Sequence, residues 1–197
     1  MINTKTQKTV CPKMHKDVVW YATLMAKHLM TLYGKEFDLL IKTHGQSRSW
    51  GGQDYISIAN SHRETAPHYI AKGHYWMNEY ARIRKDPVIG EIKHCDYKTQ
   101  IRGVVAHEVA HWFHHNLMKE QGGILWHRTS QYRSGYNAPH GKHWQEIYAI
   151  LRKEFVNERT EITQISVAKP PQGFRKLRHK KAARLGLDPK TGLPLNN

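Results

Sequence analysis

The sequence has few cysteines, few acidic residues and no long apolar run. Its two cysteines, Cys11 and Cys95, are too few for a disulfide framework or a four-cysteine zinc site, so a reducing compartment is expected. No apolar run is long enough to cross a bilayer, and the first residues lack the apolar segment of a secretory signal. These absences predict a cytoplasmic protein without a membrane-spanning segment.

Acidic residues number 16 against 31 lysines and arginines, which gives a net charge of +15 with histidine neutral. Between positions 162 and 187 there is no acidic residue at all. Prolines and glycines flank this stretch, so we predict a basic tail over 161–197, after a domain over 14–160 and a basic lead-in over 1–13. We expect DNA or another nucleic acid to bind the tail, the alternatives being a solvated extension or an anchor for an acidic protein. The candidate phosphate-binding residues are Arg175, Lys176, Arg178, Lys180, Lys181 and Arg184.

Hydrophobic periodicity predicts an α+β domain in the order helix, short β-sheet, helix, loop, helix. The predicted elements are a helix from Met14 to Leu32 that stops at Gly34, strands at 37–41 and 55–59, a helix capped by Asp96 and ended by Gly122, and a helix from Trp144 to Phe155. Residues 68–83 fit either a hairpin or a further helix.

The second helix carries the sequence His-Glu-Val-Ala-His at positions 107–111. Because residues i and i+4 share one face of a helix, His107 and His111 can present two imidazole nitrogens to one metal ion. Glu108 is near enough to hydrogen-bond a metal-bound water, take its proton and pass it to a leaving amine. The pattern therefore predicts one catalytic Zn²⁺ and metal-assisted hydrolysis of an amide bond. The alternative is a helix with two incidental surface histidines.

A catalytic zinc takes three protein ligands and keeps a fourth position for water. His140 is the preferred third ligand, because a loop-to-helix junction can bring its side chain back across the preceding helix and Gly141 removes bulk beside the metal. The alternative third ligands are His143, Glu146 and Glu154. The candidate hydrogen-bond donors to the oxyanion of the transition state are Tyr136, Arg133 and His143.

These motifs resemble the SprT-like zinc metallopeptidases, to which the Spartan and Wss1-type proteases are related. The similar strings are Ala106 to Trp112, His140-Gly141-x-x-Trp144, Ile147-Tyr148-x-x-Leu151-Arg152 and, upstream, Trp50-Gly51-Gly52. The resemblance covers roughly residues 18–155 and implies a minimal zincin-like metallopeptidase domain. It implies that the histidine before the glycine, His140, is the third ligand. It also implies cleavage of proteins on or crosslinked to DNA.

We therefore predict a zinc-dependent endopeptidase that acts on DNA-associated proteins, with Glu108 as the base. Two alternatives stay open. One is a non-catalytic nucleic-acid-associated or assembly protein that keeps the same fold. The other is a zinc amidase with the same chemistry and a non-protein substrate.

Overall fold

The computed structural model describes residues 1–6, 12–45, 48–59, 75–77, 83, 86–90, 92–95, 97–122 and 135–157. Its elements are β1 (Ile2–Thr6), α1 (Pro12–Tyr33), β2 (Leu39–His44), β3 (Trp50–Gly51), β4 (Tyr55–Ala59), β5 (Tyr75–Met77), β6 (Ile92–Cys95), α2 (Tyr97–Gly122) and α3 (Lys142–Leu151). A short 3-10 helix, Gly135–Asn137, precedes α3, and a π turn, Arg152–Val156, continues it. The α+β class is thus confirmed. None of the described helices is long and apolar enough to cross a membrane.

Four strands form one sheet in the order β1, β2, β4, β3. The β1–β2 and β2–β4 pairs are parallel, and β3 runs antiparallel to β4. Since side chains alternate between the two faces of a strand, Ile41 and its partner Ile56 point to the same face as Leu39 and Ile58. All four are buried in the core, against α1 and α2. The helices therefore cover one face of the sheet.

The strand predicted at 55–59 is confirmed, but the one predicted at 37–41 is displaced to β2. Phe37 packs edge-on against the ring of Phe113, with centroids 5.5 Å apart, and the carbonyl of Asp38 accepts a hydrogen bond of 3.0 Å from Trp112 Nε1. Residues 37 and 38 are thereby held by α2. β2 instead continues to His44, because β4 pairs with it that far.

The helix expected to stop at Gly34 is confirmed as α1. Gly34 has a φ of +60°, the left-handed conformation that glycine adopts without steric cost after a helix. The N–H of Lys35 donates to the carbonyl of Met30 over 2.9 Å, which pairs one of the last carbonyl groups. Glycine at this position therefore ends the helix by its backbone conformation.

The second predicted helix is confirmed as α2, which runs through the middle of the domain. Eighteen of its 26 residues are buried, because α1, the sheet and α3 pack around it. The buried set includes Glu108, His111 and His114. Burying a polar group costs free energy, so these buried polar side chains are candidates for a functional role.

Several predictions concern residues outside those that the structure describes. These are the cap at Asp96, the donor Arg133, the six cations of the tail and most of the segment 68–83. Within that segment Tyr75–Met77 forms β5, which pairs antiparallel with β6. β1 lies in the region predicted as a basic lead-in, and it forms a strand because it pairs with β2 far along the chain.

Candidate metal centre

Three histidines from two separate elements converge on one point. His107 and His111 lie one turn apart on α2, and His140 lies in the turn before α3. The Nε2 atom of His140 is 3.1 Å from that of His107 and 2.9 Å from that of His111. Two nitrogens bound to one tetrahedral zinc at about 2.05 Å lie about 3.3 Å apart. The three side chains are therefore close enough to bind one metal ion.

Hydrogen bonding among these rings does not account for the cluster. A neutral imidazole nitrogen either donates one proton or offers one lone pair in the plane of the ring. His140 Nε2 therefore cannot make a well-directed hydrogen bond to both of its neighbours, which lie 3.1 and 2.9 Å away. A cation at the centre would accept all three lone pairs, so the donor set fits a metal.

The electrostatic environment keeps the ring of His111 neutral. Burial lowers the pKa of His111 well below its usual value, and repulsion from His107 and His140 lowers it further. A neutral imidazole has the lone pair that a metal requires, whereas an imidazolium ion does not. His111 is thus prepared to ligate at neutral pH.

His140 reaches the cluster from an unusual backbone conformation. Its φ is +60°, in the left-handed region where residues other than glycine are uncommon and carry a cost of order 1 kcal/mol. Two hydrogen bonds hold this turn: Gly141 N–H donates to the carbonyl of Ala138 over 2.6 Å, and Gln145 Nε2 donates to that of His140 over 2.9 Å. The turn thereby keeps the imidazole facing α2.

Trp144 forms a wall behind all three histidines. Its ring lies 4.8 Å from that of His107, 4.9 Å from that of His111 and 4.6 Å from that of His140, between centroids. It is fully buried and nearly parallel to the His111 ring, at 29°. Its Nε1 atom has no hydrogen-bond partner among the described residues. Trp144 belongs to the string His140-Gly141-x-x-Trp144 of the resemblance, and its place one helical turn after His140 is the sequence signal for this contact.

Strand β3 lies directly against the turn of α2 that carries the motif. An ideal Cβ atom on Gly51 would be 2.2 Å from the carbonyl oxygen of Glu108 and 2.7 Å from Cβ of His111. Only glycine allows this approach, because any other residue would displace the helix or the strand. The resemblance included Gly51 as a motif residue, and the structure supplies the steric reason.

We expect Gly51→Ala to destabilise the fold by about 1–3 kcal/mol, because a backbone carbonyl cannot move aside as a side chain can. Affinity for a metal ion should fall as well, since the displaced turn carries two of the three histidines. Urea denaturation and competition with a zinc chelator measure both effects. Gly52→Ala is the matched control, because the nearest atom to its added Cβ would be a Tyr55 ring carbon at 3.4 Å. Equal losses in the two variants would contradict this account.

The candidate oxyanion donors Tyr136 and His143 contact each other beside the start of α3. Their rings stack with centroids 5.3 Å apart at 9°, and His143 Nδ1 lies 3.2 Å from Oδ1 of Asn137. The hydroxyl of Tyr136 donates to Oε2 of Glu146 over 2.5 Å, and this bond raises the pKa of Tyr136 to about 12. Tyr136 is therefore protonated at neutral pH, with its proton directed to Glu146.

The alternative third ligands do not join the cluster. Among the residues that the structure describes, His107, His111 and His140 are the only group of three potential ligands close enough to share an ion. Two further histidines, His114 and His115, follow on α2. His114 is fully buried edge-on to His143, at 5.0 Å between centroids, and burial lowers its pKa to about 3. Neither belongs to the cluster.

The centre combines three converging imidazoles with a glutamate, Glu108, that is only 7% exposed and directly follows the first of them. Such a donor set can hold one metal ion, and the carboxylate can accept a proton. Its residues come from 107–111 and 140–144, with Gly51 behind the helix. In comparisons with known proteins, no family model, no curated protein and no solved structure matches this chain.

Proposed function

We propose that this protein is a zinc-dependent endopeptidase of the SprT-like type, with a zincin-like domain. The observation that carries the proposal is the convergence of three Nε2 atoms, from His107, His111 and His140, with the buried Glu108 directly after the first of them on the same helix. Structural zinc sites use four protein ligands, whereas catalytic sites use three and leave a position for water. Three histidines with an adjacent glutamate therefore favour a catalytic centre.

In this proposal the chain's own residues have distinct tasks. His107, His111 and His140 hold the ion through Nε2, and Trp144 limits the rotation of their rings. Zinc, when bound, lowers the pKa of water to about 7 and polarises the carbonyl of the substrate. The carboxylate of Glu108 accepts a proton from the attacking water and delivers it to the nitrogen of the leaving amine.

An extended polypeptide is the substrate that the sheet favours. β3 lies at one edge of the four-stranded sheet, and its Gly51 is in contact range of the motif turn. A peptide that pairs with an edge strand is held by main-chain hydrogen bonds, independently of its sequence. A substrate paired with β3 would therefore pass beside the three histidines.

The proposed substrates are proteins associated with DNA. This part of the proposal is supported by the net charge of +15 and by the acid-free stretch at 162–187. If about five cations of the tail neutralise phosphates, the slope of log affinity against log salt is near −4.5. Binding would then fall several hundred-fold between 50 and 200 mM salt.

The test is a proteolysis assay with metal-free and zinc-loaded protein. The substrates are denatured casein and a DNA-binding protein, each with and without single-stranded DNA. We expect cleavage only with zinc, and faster cleavage of the DNA-binding protein when DNA is present. Cleavage that survives removal of zinc would contradict the proposal. Zinc binding without cleavage of any protein would favour the non-catalytic alternative, and hydrolysis of small amides alone would favour the amidase.

A further inference from the structure

A long groove lies between α1 and β1, at the edge of the sheet opposite β3. It has a volume of about 970 Å³ and is lined by Ile2 and Thr4 of β1 and by Val19, Thr23, Lys27 and Met30 of α1, among others. A second hollow of about 350 Å³ shares Thr4, Val19 and Thr23 with it and extends to Lys16 and Trp20. The two hollows are therefore neighbours along the helix.

The outer edge of β1 offers backbone hydrogen-bonding groups to this groove. The N–H of Leu39 donates to the carbonyl of Met1, and Ile2 is paired with Leu39. In a parallel sheet, every second residue of a strand directs its N–H and C=O groups to the same neighbouring strand. Since the carbonyl of Met1 bonds to β2, the backbone groups of Asn3 and Lys5 bond to β2 as well. The N–H and C=O groups of Ile2 and Thr4 therefore face away from β2, where no strand pairs with β1 among the described residues.

The side chains around the groove indicate the chemistry of its occupant. On the helix side, Val19 and Met30 are half-buried and apolar, whereas Lys16 and Lys27 are exposed at the rim. Trp20 beside them is 64% exposed, which is unusual for a tryptophan outside a binding surface. On the opposite face of β1, Lys5 is exposed. The surroundings thus combine an apolar floor with cations on both sides, and Glu36 is the one acidic residue among the lining side chains.

We propose that this groove binds an extended segment of a partner protein, added as a parallel or antiparallel strand to β1. An edge strand beside a helix is the arrangement in which main-chain bonds give affinity and alternate side chains give specificity. Side chains of the added strand that face α1 meet Val19 and Met30. The alternate side chains, which point to the opposite face of the sheet, meet Lys5. The recognised segment therefore alternates aliphatic and acidic residues.

This site is independent of the metal centre, because β1 and β3 lie at opposite edges of the sheet. Binding here is expected whether or not the chain is a peptidase. A single-stranded nucleic acid is the competing occupant, since lysines with an exposed tryptophan also bind bases and phosphates. The strand-and-helix geometry and the open backbone edge favour the peptide.

The test uses the full chain and a fluorescent panel of nine-residue peptides in which Val, Ile or Leu alternates with Asp or Glu. A matched panel carries Lys at the acidic positions. We expect the acidic panel to bind in an anisotropy assay, with mass spectrometry showing that the peptides stay intact, and the lysine panel to bind at least about tenfold more weakly. Failure of every acidic peptide to bind at millimolar protein would overturn the proposal.

The variant Thr4→Pro measures how much one backbone hydrogen bond of β1 contributes to peptide affinity. Proline removes only the outward N–H of Thr4, so the bonds between β1 and β2 remain and an edge position tolerates the ring. Peptide affinity should fall about tenfold, the equivalent of one lost hydrogen bond, whereas Thr4→Val should retain it within about twofold. Equal affinity of the Pro and Val variants would overturn strand addition.

Trp20→Ala provides a second test that spares the core, because this side chain is exposed. We expect a loss of peptide affinity of about tenfold, without a change in the midpoint of urea unfolding. The competing outcome is that an oligothymidine of fifteen nucleotides binds, that its affinity falls on Trp20→Ala, and that no acidic peptide displaces it. The groove would then be a nucleic-acid site, and the proposal fails.

Discussion

Glu108→Gln is expected to lower the rate of peptide-bond hydrolysis about 10²–10⁴-fold, the contribution typical of general acid–base catalysis. The amide of glutamine has nearly the size of the carboxylate but cannot accept a proton from water. Since Glu108 is almost fully buried, an isosteric replacement preserves the packing of α2. Zinc content and the free energy of unfolding should therefore stay close to those of the wild type. Initial rates on denatured casein at saturating zinc measure the effect.

Glu120→Gln is the matched control for this experiment. Glu120 lies on the same helix but is exposed, and its Oε2 is 2.7 Å from Nζ of Lys35. An exposed ion pair contributes at most about 1 kcal/mol, so this variant should keep full activity. A Glu108→Gln protein as active as the wild type would refute the mechanism. If the Glu108→Gln protein lost zinc along with its activity, Glu108 would be needed for metal binding, and the experiment would contradict its role as the proton acceptor alone.

His140→Ala is expected to weaken zinc binding by about 10²-fold or more, because it removes one of three ligands. Mass spectrometry of the purified protein should find about one zinc per wild-type chain and much less in the variant. Competition with a chelator gives the change in affinity. Because the proposed hydrolysis requires the bound ion, proteolytic activity should fall with the zinc content.

Two companion variants separate the loss of a ligand from a disturbed turn. His140→Gly also removes the imidazole, but glycine adopts a φ of +60° freely, so the turn before α3 is preserved. It should lose zinc as His140→Ala does. His143→Ala removes the neighbouring histidine and should retain zinc. Full retention of zinc by both His140 variants would refute the three-histidine site, and loss in His143→Ala alone would assign the third ligand to His143.

Local patterns determined the parts of the structure that depend on neighbouring residues. The apolar spacing of α1 and its stop at Gly34, the run of β4 and the pair His107 and His111 all follow from the geometry of one element. A helix places residues i and i+4 on one face whatever surrounds it. The sequence also favours His140 as the partner of this pair, because its motif sits at a loop-to-helix junction.

Local sequence patterns do not predict the contacts between segments that are distant along the chain. The start of β2 at Leu39 depends on α2, which holds Phe37 and Asp38. β1 exists because residues 2–6 pair with 39–43, and five residues without apolar alternation do not predict a parallel strand. The sequence pattern of Trp144 is that of an ordinary core residue, so it does not predict the contacts of this ring with three histidines.

The sequence alone determined that this is an α+β protein with a histidine pair on one helix face and a strongly basic tail. Only the tertiary structure decided that His140 completes the cluster, that Trp144 packs against its rings and Gly51 against the helix that carries the motif, and that a groove opens beside β1. The physical reason is that helix and turn geometry are local, whereas a metal centre and a groove require segments far apart in sequence to meet at distances of a few ångströms.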